Sequence, residues 1–388
     1  MPTTPVQRLL PTQEAEELLA LTRELAAAEL APHAAEYELD KRFPREVFHT
    51  LGKAGLLGLA YPEEHGGGGQ PYEVYLQVLE ELAGAWLSVG IGVSVHTLAC
   101  HPVASYGTPE QQARWLPAFL GGDTLGAYCL SEPSSGSDAA ALQTRAVLRG
   151  EGADTVWVVD GTKAWITHGG VADFYNLLVR TSGEGSRGIS CLLADADTPG
   201  LSAAPPERKM GAGASTTAQI RLEGARVPGD RLIGAQGQGF EIAMSALDSG
   251  RLGIAACAVG LAQAALDAAV EFAMGRKQFG RAVADFQGLS FMLANMATSV
   301  TAARATYLAA ARLRDAGRPF STDAAMVKLF ATDMAMKVTT DAVQVFGGYG
   351  YVEDYPVERY MREAKVLQIV EGTNQIQRVV IGRALTRP

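Results

Sequence analysis

The chain has 388 residues, 47% of them hydrophobic and 19% charged, with a formal net charge of −9. Such a length exceeds the ~250–300 residues at which a single core stops growing, so two or three packed domains are expected, and the composition excludes a disordered chain. No long Lys/Arg block offsets the acidic balance, which removes the electrostatic footprint of a nucleic-acid binder.

The four cysteines, Cys100, Cys129, Cys191 and Cys257, are far apart without a CxxC pair, as in a reduced intracellular protein; neither a disulfide framework nor a zinc site is suggested. The first residues turn acidic instead of forming the ~7–15-residue apolar core of a secretory signal. The apolar run from Leu252 to Ala262 is broken at Gln263, short of the ~18 residues that cross a bilayer. A cytoplasmic protein without a membrane partner is the expectation.

From Thr12 to about Leu120 the periodicity is helical, with Leu18, Leu19, Leu21 and Leu25 opening one face. Phe43-Pro44, the Gly66–Gly69 run and Gly107-Thr108-Pro109 divide it into four or five helices. The glycine run is read as a loop, because no Gly-Lys-Ser/Thr follows to make it a phosphate cradle.

Between Gly126 and Gly234 short β-rich runs take over: Thr155–Val159, Phe174–Val179 and Gly188–Leu193. No helix-length segment alternates with them, so the strands are expected to pair antiparallel, as a barrel or sandwich, and a doubly wound sheet with a dinucleotide fold is disfavoured. Asp160-Gly161 reads as a turn, placing Trp165-Ile166-Thr167 at a strand edge. The glycines around Gly211–Gly213 and Gly234–Gly239 lack dinucleotide-fingerprint spacing.

Beyond Gly239 long helical patterns return: Phe240–Ala273, Asp285–Ala316, Thr322–Phe346, a short piece near Glu358–Glu363, and Thr373–Leu385. They imply a four-helix bundle whose Ala-rich faces permit close packing and suit an oligomer. The fold expected is therefore α+β and multidomain: an N-terminal helical domain over residues 1–125, a middle antiparallel β-barrel-like domain over 126–235, and a C-terminal helical bundle over 236–388.

Chemistry concentrates in a few stretches. In Gln368–Arg378 the carboxylate of Glu371 follows Ile369 and Val370, whose apolar side chains would desolvate it and raise its pKa toward the range of a general base near neutral pH. Gly372 leaves room for backbone approach, and Thr373 is positioned to cap a final helix. Cys129–Asp138 offers the hydroxyls of Ser131, Ser134, Ser135 and Ser137 for a polar ligand, yet no Gly-x-Ser-x-Gly makes any serine a nucleophile.

These stretches, with Arg276–Gly280 and Gln344–Tyr351, occur in the order found in the acyl-CoA dehydrogenases. The resemblance to that flavoprotein family covers essentially the whole chain, matching one motif from Cys129 through Ala141 and a second from Gln344 through Glu363. It implies FAD as cofactor, an acyl-CoA substrate, electron transfer flavoprotein as the partner that reoxidises the flavin, and a homotetramer built as a dimer of dimers.

The resemblance also implies roles. Tyr128, Leu130, Ser131 and Ser137 would lie along the isoalloxazine, with Ser137 also meeting the acyl-CoA, and Trp165, Ile166 and Thr167 would cover the flavin near N5. Arg276 would reach the FAD pyrophosphate of a neighbouring subunit, joined by Phe279, Gln287, Gln344, Gly347 and Gly348; Thr373 and Gln375 would also touch FAD. Asp248 and Arg251 correspond to CoA-side contacts, Gly372 lies against the substrate, and Glu371 falls on the base that removes the α-proton while the β-carbon gives up hydride to flavin N5. An arginine fork suits a pyrophosphate.

The chain departs from the family pattern at three places. Val370 stands where many relatives place tyrosine, and Gly213 where they commonly carry arginine. Gly250 occupies the bundle-helix position at which the isovaleryl branch carries its base, an absence that favours Glu371. A straight-short-chain or short-branched acyl group is expected.

An acyl-CoA oxidase is an alternative, though that branch usually has a longer chain. A decarboxylating enzyme of the same fold would need a cation for a distal carboxylate, and Trp86–His101 contains no Lys or Arg. A non-catalytic helical scaffold is the reading from another class. A metal enzyme is disfavoured, since among six histidines only His96 and His101 are close and no His-Glu-x-x-His occurs.

Overall fold

The computed structural model describes residues 6–183 and 185–386. Its N-terminal part holds helices α1 (Gln13–Leu25), α2 (Ala31–Asp40), α3 (Arg45–Lys53), α4 (Tyr72–Ala85), α5 (Leu87–Tyr106) and α6 (Pro109–Leu120). This exceeds the four or five expected because a π-helical stretch, Ala26–Leu30, separates α1 from α2 along one unbroken rod. Thr12 caps α1 by accepting from the Ala15 N–H, and Thr108 with Gln111 forms a capping box on α6.

The middle part is a mixed sheet of β1 (Gly126–Cys129), β2 (Arg145–Arg149), β3 (Val156–Thr167), β4 (Phe174–Arg180), β5 (Ile189–Asp195), β6 (Leu201–Ala203), β7 (Thr217–Pro228) and β8 (Leu232–Ile233). The order is β6-β7-β3-β2-β4-β5-β8, with β1 added beside β4. Most pairs are antiparallel, as expected, but β1 and β2 each run parallel to β4. The expected turn at Asp160-Gly161 is instead an irregularity within one 12-residue strand. There β7 continues to pair on both sides, so the chain kinks without reversing.

The C-terminal part comprises α7 (Gly239–Gly275), a small β9–β10 hairpin (Lys277–Gln278, Arg281–Ala282), α8 (Gln287–Asp315), α9 (Ser321–Phe346), α10 (Pro356–Leu367) and α11 (Asn374–Thr386). Small residues set its spacing. Ala255, Ala258, Ala262 and Ala265 of α7 and Ala324, Ala331 and Ala335 of α9 are all buried. At Gly260 a Cβ would stand 2.2 Å from the Glu80 carbonyl oxygen, so only glycine lets α7 cross α4 there. Gly213 likewise excludes a side chain, since a Cβ would lie 2.6 Å from the Glu38 carbonyl oxygen.

By length and composition α5 and α7 could cross a membrane, but 89% and 72% of their apolar windows are buried inside the protein, as in core helices. One core joins α4, α5 and the C-terminal helices; another joins α5, α6 and the start of α7 to β1, β4 and β5. The site lies where these layers meet.

Candidate active site

Glu371 sits between α10 and α11 with φ +54°, followed by Gly372 at φ +85°. Two left-handed residues in succession reverse the chain sharply, and a glutamate in that region is strained. The turn is held from both ends. Thr373 accepts from the Ile376 N–H as the cap of α11, and Gln377 Nε2 donates to the Glu371 and Gly372 carbonyl oxygens at 3.1 and 2.8 Å.

The carboxylate faces a cavity of about 480 Å³ whose walls include Leu98, Tyr128, Ile166, Arg251 and Gly372. Its Oε2 has no hydrogen-bond partner among the described residues. Burial pushes the carboxyl up to about 7, against the opposing pull of Arg251 and Lys328. Of the sequence neighbours, Ile369 is 53% exposed and Val370 half-buried against the core. The surface nearest the carboxylate also includes α7 and α5, where a Cβ on Gly250 would stand 2.8 Å from Glu371 Oε2 and 3.2 Å from Leu98 Cδ1.

The opposite wall comes from the sheet. Between Lys163 and Ile166 the β3–β7 register shifts, and Trp165 takes φ +62°. Such a bulge re-aims side chains. Trp165, Ile166 and Thr167 thereby all line the cavity, with Ile166 buried and Trp165 65% exposed. Tyr128 on β1 and the loop after it, with Leu130, Ser131, Gly136 and Ser137, form the adjoining wall. It is braced by buried Lys163, whose Nζ donates to the Leu130 carbonyl oxygen at 3.1 Å and to Glu132 Oε1 at 2.8 Å. Burial alone would raise Glu132, but Lys163 and the Gln143 and Thr144 donors hold its carboxyl below the usual range.

Arg276, Gly347 and Gly348 meet elsewhere, in a cavity of about 510 Å³ shared with Phe272, Gln278, Phe346 and Tyr349. The Arg276 guanidinium lies 5.2 Å from the Tyr349 ring centre, and a Cβ on Gly347 or Gly348 would meet nothing within 4 Å. Phe279 is 94% exposed on the β9–β10 hairpin. Gln287 and Gln344 are exposed at the start of α8 and the end of α9, and Gln375 is exposed at the start of α11.

The structure thus gathers Glu371, Gly372, Thr373, Arg251, Tyr128, Leu130, Ser131, Ser137 and Trp165–Thr167 around one cavity. Arg276, Gly347 and Gly348 belong to a second. Asp248 does not line the first: its Oδ1 accepts from Arg251 Nη1 at 2.6 Å and its Oδ2 from the Ser321 hydroxyl.

Sequence reasoning missed Lys328 and Gln377, each buried against the Glu371 turn, where Asn374 is buried beside them. For Lys328 a signal existed. It lies on the stripe of Ala324, Ala331 and Ala335, where a charge is out of place. Arg314 of α8 was also missed, because it lies far in sequence from Trp86–His101. It lies 3.8 Å from the Tyr72 ring centre and beside a chamber of about 20 Å³ behind Leu98.

Fold and site together describe an enzyme that presents an ionisable carboxylate to a largely apolar slot. Comparison with known proteins is decisive. The N-terminal, middle and C-terminal domains of acyl-CoA dehydrogenase match residues 12–123, 127–225 and 237–386. A short-chain-specific acyl-CoA dehydrogenase of Clostridium acetobutylicum is 42% identical over 97% of this chain and 99% of its own. Butyryl-CoA dehydrogenase from Megasphaera elsdenii superimposes with a TM-score of 0.95 at 39% identity, covering 98% of this chain and 100% of that one. A chain from a structural study of the electron transferring flavoprotein of Acidaminococcus fermentans also gives 0.95, at 43% identity and the same coverage. This chain belongs to the acyl-CoA dehydrogenase family of flavoprotein oxidoreductases.

Proposed function

We propose that the protein dehydrogenates a short acyl-CoA thioester to the trans-2-enoyl-CoA, with FAD as cofactor and Glu371 as the α-proton base. The observation that carries this is the unpartnered Glu371 Oε2, facing a cavity between the β3 bulge and α7 and held near the pKa a base needs. The residues present fit a flavin. The bulge presents an apolar surface at Ile166, while the buried Tyr128 hydroxyl has no partner among the described residues and Ser131 and Thr167 line the same cavity.

FAD, when bound, supplies the acceptor for the hydride leaving the β-carbon. Glu371 takes the α-proton, so one proton and one hydride leave and a C=C bond forms. The Glu371 backbone N–H donates to no protein acceptor among the described residues and is free to meet the thioester oxygen. Arg251, buried and tied to Asp248, stabilises the ionised base.

Acyl specificity follows from Ile91, Val95, Leu98 and Ile254, which make that part of the cavity apolar. The relatives noted above act on short chains by name, which supports the same class here. A further cavity, adjoining at Ala140 and lined by Gln143, Arg145 and Thr181, suits the polar end of coenzyme A.

Arg276 and the glycines 347 and 348 would serve the FAD of a second protomer, which supports a homotetramer assembled as a dimer of dimers. Electron transfer flavoprotein is the proposed oxidant, by the likeness to the Acidaminococcus structure. Anaerobic titration with butyryl-CoA should bleach the flavin bands, while Glu371→Gln should bind the thioester and leave them unbleached. A protein that retains no flavin on reconstitution, or a Glu371→Gln variant reduced at the wild-type rate, would overturn the reading.

A further inference from the structure

Lys328, on α9, is fully buried. Its Nζ donates to the Gly372 carbonyl oxygen and to Asn374 Oδ1, both at 2.9 Å. Burying an ammonium is costly unless its surroundings return the lost hydration. Both acceptors are uncharged amide oxygens, so hydrogen bonding alone is a meagre return, and a methionine would fill the same stripe without the penalty.

What the lysine touches explains its presence. Gly372 is the second residue of the left-handed pair whose first member is Glu371. Asn374 is the first residue of α11, and its Nδ2 donates to Asp333 Oδ1 at 2.7 Å. We propose that Lys328 is a positioning residue of this site: its buried ammonium fastens the Glu371–Gly372 turn to α9 and supplies positive charge that favours the Glu371 carboxylate. This rests on the reading of Glu371 as the base.

The electrostatics agree. Burial lowers the Lys328 ammonium to about 7, against the opposing pull of Glu371 and Asp333, while Arg251 adds to the lowering. Lys328 in turn pulls the Glu371 carboxyl down from where burial would leave it. The other charged groups around the pair are Arg251 with Asp248 on α7, and Asp333 on α9 with Arg378 of α11, 3.1 Å apart. Each carboxylate among these has an arginine partner. Among the described residues the charged groups facing Glu371 are the lysine and Arg251, with the buried Tyr72 and Tyr128 hydroxyls also near it.

The test uses Lys328→Gln, which keeps a donor toward Gly372 without the charge, and Lys328→Arg, which keeps the charge. Lys328→Met serves if the glutamine variant does not fold. Titration of the Glu371 carboxyl by infrared difference against the matching Glu371→Gln protein reads the group directly, without turnover. Its midpoint should move alkaline, by up to about one pH unit because Lys328 itself gives up its proton near 7, in Lys328→Gln or Lys328→Met. It should return toward wild type in Lys328→Arg, and the pH profile of flavin reduction should follow. An unmoved infrared midpoint overturns the proposal whatever the rates do. If the midpoint moves while the rate profile stays fixed, Lys328 keeps its role and Glu371 is not the base.

Discussion

Gly250 points its missing side chain at Glu371: a Cβ built there would stand 2.8 Å from the carboxylate Oε2. Two positions far apart in sequence therefore open on the same space. Glu371→Gly should fold readily, because glycine accepts the φ of +54° without strain, and should lose at least ~10²-fold in flavin reduction, the lower bound for a general base. Adding Gly250→Glu to it fills the vacated space with a carboxylate from α7. About tenfold or more of the loss should return, within the range a general base contributes. Rapid mixing with butyryl-CoA measures it, and a double variant no faster than Glu371→Gly shows that the positions do not serve one carbon.

The pH dependence follows from the same group. Only the carboxylate accepts a proton, so flavin reduction at subsaturating substrate should rise about tenfold per pH unit in acid and level off above about 7. Folding responds in the opposite sense. The carboxyl is raised from 4.5 to about 7 by the fold, so the stability it contributes is full below 4.5 and is lost as pH rises through 7. Glu371→Gln should therefore melt higher than wild type at pH 8.5 and nearly alike at pH 4.5; the reverse order would contradict the burial of this group.

Leu98 is shared by the cavity and by the small chamber containing Thr97, His101 and Ser249. Trimming it to alanine joins the two spaces and frees the volume of the leucine side chain for substrate. The ratio of kcat/KM for hexanoyl-CoA over butyryl-CoA should rise by about tenfold, the lower end of what a methylene-sized change yields. An unchanged ratio would mean the acyl tail runs elsewhere.

Glu80 carries a separate structural load. Burial would raise its carboxyl, but Arg8 and Arg304, both 2.8 Å from Oε1, hold it down to about 2. Glu80→Gln leaves the largely buried Arg304 without a counter-charge and Arg8 with Glu81 alone, and should cost ~3–5 kcal/mol, read from the urea midpoint. Because the folded value lies below 4.5, this stability is present above pH 4.5 and lost as pH falls through about 2. The gap between variant and wild type should therefore shrink in strong acid.

The architecture was legible because it rests on local rules. Helical periodicity marked α7, α8, α9 and α11 to within about two residues, and the Thr373 cap is where a threonine ahead of a helix should be. Motif order was enough for the family, and Glu371 stood out as a carboxylate beside apolar residues at a helix entrance. Where local rules ran out, the reading erred. Asp160-Gly161 has turn chemistry, yet pairing with β7 carries the strand through it, and only that pairing creates the bulge at Trp165. Gly250 drew notice in sequence only through the family resemblance, and Lys328 is marked there only as a charge among the buried alanines of α9. Their contacts with the Glu371 turn arise once α7 and α9 pack against it, because burial and proximity are properties of the assembled helices, not of any one of them.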